Sequence, residues 1–97
     1  MFLKIHHSRE MGDMVAVCDS DLLNTTIAHG DLNVKISEQF YGTTKASADE
    51  VREAFRQGDI INIMGERAVS VAIGMGLITR GDCIMIGTVP HAQIYRL

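Results

Sequence analysis

The sequence predicts an α/β or α+β fold, a single small domain in which one mixed β-sheet carries two main helices. Three observations lead there. Apolar and polar residues alternate with period 2 over residues 2–6, 32–36 and 91–96, as in half-buried strands. Ser47-Ala48-Asp49-Glu50 reads as a capping box that opens a helix. Residues 59–77, DIINIMGERAVSVAIGMGL, run from a short apolar stretch through a polar turn into the most apolar amphipathic helix of the chain, and the rest is organised around them.

Phe2, Lys4 and His6 alternate against Leu3 and Ile5 to make a first strand. A polar turn over residues 8–12 leads to a second at 14–18, so an antiparallel hairpin is expected. Asp19 or Ser20 is then expected to cap a short helical turn over residues 21–27, closed by His29-Gly30. Leu32, Val34 and Ile36 mark the next strand; Phe40 and Tyr41 follow before Gly42 breaks the pattern. In the capped helix Val51, Ala54 and Phe55 form the buried stripe and Gly58 the stop.

Residues 60–64 are short, β-branched and followed by Gly65, which favours a strand over a first helical turn. Val69, Ala72, Ile73, Gly76 and Leu77 recur at i, i+3, i+4, i+7 and i+8, one face of the second helix. Residues 79–82 make a turn, 83–86 a strand, 87–90 a break and 91–96 a terminal strand with Ala92, Ile94 and the stem of Arg96 on one face. The helix, strand, helix, strand succession after Ser47 suits parallel pairing.

With 97 residues, 46% hydrophobic and 22% charged, the chain fits one globular domain over residues 1–97. A formal net charge of −3 supplies no overall basic field for phosphate backbones, which leaves only a local patch for nucleic acid. Cys18 and Cys83 lie far apart, with no CxxC pair and no secretory segment, and point to reduced thiols in a cytoplasmic protein. No apolar stretch approaches the roughly 20 residues that span a bilayer.

Most motif readings fail on spacing. His6 and His7 point to opposite faces of a strand, so a metal site from Cys18, Cys83, His6 and His91 would need the fold to gather them, and no metal or cofactor is expected. Asp19-x-Asp21 stops resembling a calcium loop at Leu23. Gly74-Met75-Gly76 lacks the third glycine of a dinucleotide site, and no P-loop or nucleophile elbow exists.

Two segments remain, 62–67 and 87–93. In the first, Glu66 suits the helix dipole, while Asn62, Gly65 and Arg67 surround unpaired N–H groups suited to a phosphate or carboxylate. In the second, Pro90 fixes the entry to the last strand and His91 stands at its mouth with an imidazole able to donate, accept or titrate.

The residues FYG at 40–42, NIMGERAV at 62–69, GLI at 76–78 and VPHAQIYR at 89–96 complete a pattern. In it the chain resembles, over nearly its whole length, the archaeal family catalogued as domain of unknown function 424. The resemblance implies a small, cytoplasmic, single-domain archaeal protein with no assigned activity, cofactor or catalytic residue. It directs attention to Asn62, Gly65, Glu66, Arg67, Pro90, His91 and Gln93.

The leading expectation is a binding module for an anionic small ligand or an RNA element, using Asn62, Gly65, Arg67, His91 and Gln93. The alternatives are an enzyme with Glu66 and His91 as an acid-base pair, and a structural subunit whose apolar faces, including Met64 and Met75, complete themselves in a homodimer or larger complex.

Overall fold

The computed structural model describes residues 1–96. The chain runs β1 (Phe2–Ser8), β2 (Gly12–Cys18), β3 (Thr26–His29), β4 (Leu32–Lys35), α1 (Glu38–Tyr41), α2 (Ala48–Gln57), β5 (Ile60–Met64), α3 (Glu66–Gly74), a 3-10 turn at Arg80–Asp82, β6 (Ile84–Ile86) and β7 (Val89–Tyr95). The mixed sheet has the order β1-β2-β5-β7-β6, and β3 with β4 forms a separate two-stranded sheet, giving an α+β fold. No helix among the described residues is long and apolar enough to cross a membrane.

Alternation sorts the five-stranded sheet into two faces. Val15, Val17, Ile61, Ile63 and Ala92 point to one, where Val51, Phe55, Ala68, Val69 and Ala72 of α2 and α3 close over them. Each fully buried Val, Ile or Phe contributes about 1.5–3 kcal/mol. Ala16, Cys18 and Met64 point to the other face and pack under Ile36, Tyr41 and Ile27 from the β3–β4 hairpin and α1. That second cover is partial, and Gln93, Ile84 and Tyr95 remain exposed on this face.

Local chemistry explains both main helices. Ser47 Oγ accepts from the Glu50 N–H at 3.1 Å while Glu50 Oε1 accepts from the Ser47 N–H at 3.0 Å, completing the capping box of α2. At its other end the Arg96 guanidinium donates to the carbonyls of Phe55 and Gly58, a cation on the negative end of the helix. The regular part of α3 stops at Gly74, short of the expected stripe through Leu77. Gly76, at φ 74°, donates to Ile73 and Leu77 to Ala72, so the last two stripe residues belong to a Schellman stop.

Three expectations need correcting. The helical turn over residues 21–27 is instead a turn followed by β3: Asn24 takes φ 65° and donates its N–H to Ile36, which starts a hairpin. The parallel pair is not formed after Ser47 but between β2 and β5, with Met14 opposite Ile60 and Cys18 opposite Met64. Finally, β7 begins at Val89 and contains Pro90. Pro90 is tolerated because its nitrogen faces Gly65, beyond the end of β5, and only its carbonyl is needed there, accepting from the Gly65 N–H at 2.9 Å.

Candidate functional site

β2 and β5 are parallel, and their chains leave the carboxyl ends toward opposite faces: β2 toward the β3–β4 hairpin, β5 into α3. Such a divergence opens a crevice. Here it is a pocket of about 150 Å³ whose walls include Asp19, Asp21, Gly65, Glu66 and Pro90. The N–H groups at the head of α3 do hold a carboxylate, and it is the chain's own. Asp19 is buried, and its two oxygens accept from the Arg67 N–H at 3.0 Å and the Ala68 N–H at 2.9 Å.

Gly65 makes this contact feasible. It adopts φ 113°, and a Cβ there would lie 2.4 Å from the Asp19 carboxyl carbon. Glu66 turns outward and pairs with Arg80, its two oxygens accepting at 2.8 and 3.1 Å. The Arg67 side chain is exposed.

His91 belongs to different surroundings. It is buried, its Nδ1 donates to the Ile63 carbonyl at 2.8 Å, and burial pushes its pKa below the ordinary value against the smaller opposing effect of that bond. The imidazole is therefore neutral at pH 7, with Nε2 left as an acceptor. It lines a second pocket, about 260 Å³, with Asp82, Ile84, Ala92 and Gln93. Glu66 and His91 thus line separate pockets and are engaged by separate partners.

Asn62, His91 and Gln93 share the partly covered sheet face, because Asn62 lies opposite Gln93 and Met64 opposite His91 in the β5–β7 register. Gly65 donating to Pro90 and Arg96 donating to Asp59 show which positions carry the ladder bonds. Asn62 and Gln93 fall between them, in a non-hydrogen-bonded pair where side chains approach most closely. The Tyr41 hydroxyl donates to Asn62 Oδ1 at 2.7 Å and the Tyr95 hydroxyl to Gln93 Oε1 at 2.6 Å. Both amide carbonyls are occupied, which leaves the NH₂ groups of these two paired residues as donors with no partner among the described residues. Burial pushes the Tyr41 hydroxyl pKa far up, and the nearby Cys18 adds to the shift, so Tyr41 stays a donor.

Comparison with known proteins fits this frame. The family model described as a protein of unknown function, DUF424, matches residues 6–97. The chain belongs to the DUF424 family. The crystal structure of an uncharacterized conserved protein from Methanopyrus kandleri matches with a TM-score of 0.84 and 32% identity, covering 99% of this chain and 90% of that one. No curated protein matches.

In this DUF424 chain, the residues singled out from the sequence include Asn62, His91 and Gln93, which share this face, but not Tyr41, Tyr95 or Asp82, which stand beside them. Tyr95 was signalled by period 2, since placing Ala92 and Ile94 on one face puts His91, Gln93 and Tyr95 on the other. Tyr41 carried no such signal, because its partner is 21 positions away.

Proposed function

We propose that this protein is a binding module whose recognition surface is the open sheet face at Asn62 and Gln93. The observation that carries the reading is the pair of amide NH₂ groups left free by the Tyr41 and Tyr95 bonds. Two neutral donors on paired residues suit paired oxygen acceptors, as on a carboxylate, a phosphate or the carbonyl edge of a nucleobase. Beside them Tyr95 is 62% exposed and offers a ring for stacking.

The ligand class that uses both features is a nucleotide or an unpaired RNA base. His91 adds an acceptor at the margin, and Gly65 serves by admitting Asp19 to the head of α3. Arg67 receives no contact in this reading, because α3 packs on the opposite face of the sheet. Acid-base catalysis by Glu66 and His91 is disfavoured by their separate engagements.

The test is titration with uridine and adenosine monophosphates and with oligouridine, followed by NMR of the side-chain amide signals of Asn62 and Gln93. Those signals should move. Gln93→Ala should weaken binding about tenfold, the value of one hydrogen bond, at unchanged melting temperature. If no nucleotide or oligonucleotide shifts either amide, the reading falls.

A further inference from the structure

We propose that the open edge of β7 at Gln93 and Tyr95 accepts an extended segment of a partner polypeptide as an added antiparallel strand, with a basic side chain of that segment beside Asp82. The surface differs from the amide pair above: it is the main chain of β7, not its side-chain face. The register defines it. Pro90 and Arg96 direct their backbone groups toward β5, and so by alternation do Ala92 and Ile94. Val89, His91, Gln93 and Tyr95 therefore direct theirs to the other side.

There β6 covers only Val89 to His91, its first residue Ile84 standing opposite His91. Before Ile84 the chain leaves strand conformation in the 3-10 turn Arg80–Asp82. The N–H and C=O groups of Gln93 and Tyr95 are left on an edge with no strand beside them among the described residues.

Sheet edges are ordinarily blunted by lysine, proline or a covering loop. This one is flanked instead by Ile84, Met85 and Tyr95, which are 61%, 51% and 62% exposed. The gap left by β6 also contains the pocket of about 260 Å³ lined by Asp82, Ile84, His91 and Gln93. A peptide residue paired with Gln93 shares its face of the sheet, so its side chain meets Ile84 and His91 at the mouth of this pocket.

The charge there selects a basic side chain. Asp82 spends one oxygen, Oδ2, on the N–H and hydroxyl of Thr79 and keeps the other, and neutral His91 offers only an acceptor. A separate peptide fits better than a second copy. In the two-fold register that sets Gln93 against Tyr95 of a copy, Arg96 of the copy falls opposite Ala92, next to the edge that β6 already fills, an obstruction a separate peptide avoids. The recognition mode is strand addition, with main-chain bonds supplying affinity and one pocket supplying selectivity.

The experiment is selection of phage-displayed random decapeptides on the intact protein, with the enriched peptide then titrated against ¹⁵N-labelled protein. Enriched sequences should carry Lys or Arg at one fixed position. The backbone amides of Gln93 and Tyr95 should shift and exchange more slowly, and Asp82→Asn should lower affinity for the basic peptide several-fold. Gln93→Pro, which deletes an outward N–H that β5 does not use, should weaken binding tenfold or more. If that variant does not fold, exchange protection of the two wild-type amides by the peptide decides the matter.

An absence of enriched peptides, or binding that leaves both amides unshifted and unprotected, overturns the proposal. So does a dimer that protects those amides without peptide. Nucleotide titration reads the side-chain amides and this experiment the backbone amides, so each reading can fail alone.

Discussion

The carboxylate of Asp19 lies across the head of α3, accepting from the N–H groups of Arg67 and Ala68. The N-cap residue, Gly65, has no side chain to cap with. The cap comes from the end of β2 instead, which ties the parallel strand pair to the helix that follows it. A carboxylate is also the group the helix dipole favours there. Asp19→Ala should therefore destabilise the fold by about 1–2 kcal/mol, with Asp19→Asn losing less, as read from urea unfolding midpoints.

Gly65→Ala should be worse. It forces a side chain into φ 113° and onto the Asp19 carboxyl, for a loss of about 3 kcal/mol. The double variant Gly65→Ala, Asp19→Ala should be less destabilised than the sum of the two singles, because removing the carboxylate relieves the clash. Additive losses in that cycle would show that strain at Gly65, not its contact with Asp19, dominates.

His91 should make stability depend on pH in one direction. Its pKa in the folded protein is lowered from 6.5, chiefly by burial. As the pH falls through about 6.5 the unfolded chain takes up a proton that the folded one resists, so this contribution is complete above that value. It is lost as the pH drops toward the folded-state pKa and is constant below it. Urea midpoints measured from pH 7.5 to pH 4.5 should fall more steeply for wild type than for His91→Gln.

The two cysteines should differ sharply toward thiol reagents. Cys18 is fully buried, and desolvation, with the Asp19 carboxylate adding to it, pushes its thiol up to about 11. Cys83 is only partly buried. Native protein should release one equivalent of thionitrobenzoate quickly from Ellman's reagent and the second only on unfolding. Two fast equivalents would mean that the cover over Cys18 opens readily.

Tyr41→Phe should cost about 1 kcal/mol by removing the bond to Asn62. It should also free the Asn62 carbonyl, and in the proposed site that lets the amide rotate and weakens ligand binding. A variant that loses stability but binds nucleotide as tightly as wild type would separate Tyr41 from recognition.

What could be read from the chain was what local periodicity encodes. Alternation located β1, β4 and the final strand, and Ser47 with Glu50 located the start of α2, because these depend on neighbours within three or four positions. The same reading placed Ala92 and Ile94 on the buried face. It misjudged residues 21–27, where the hairpin is set by Asn24 bonding to Ile36 and not by any helical period.

The sequence by itself determined the two amphipathic main helices, the alternating strands and the mixed-sheet fold class, since burial of each apolar stripe follows from its spacing. Only the tertiary structure decided who meets whom. Sheet order set Asn62 beside Gln93, and the parallel alignment of β2 with β5 brought Asp19 to α3, 48 positions along the chain at Arg67. It also sent Glu66 to Arg80 and left His91 to Ile63. Such pairings depend on strand order and register, which no local pattern of residues specifies.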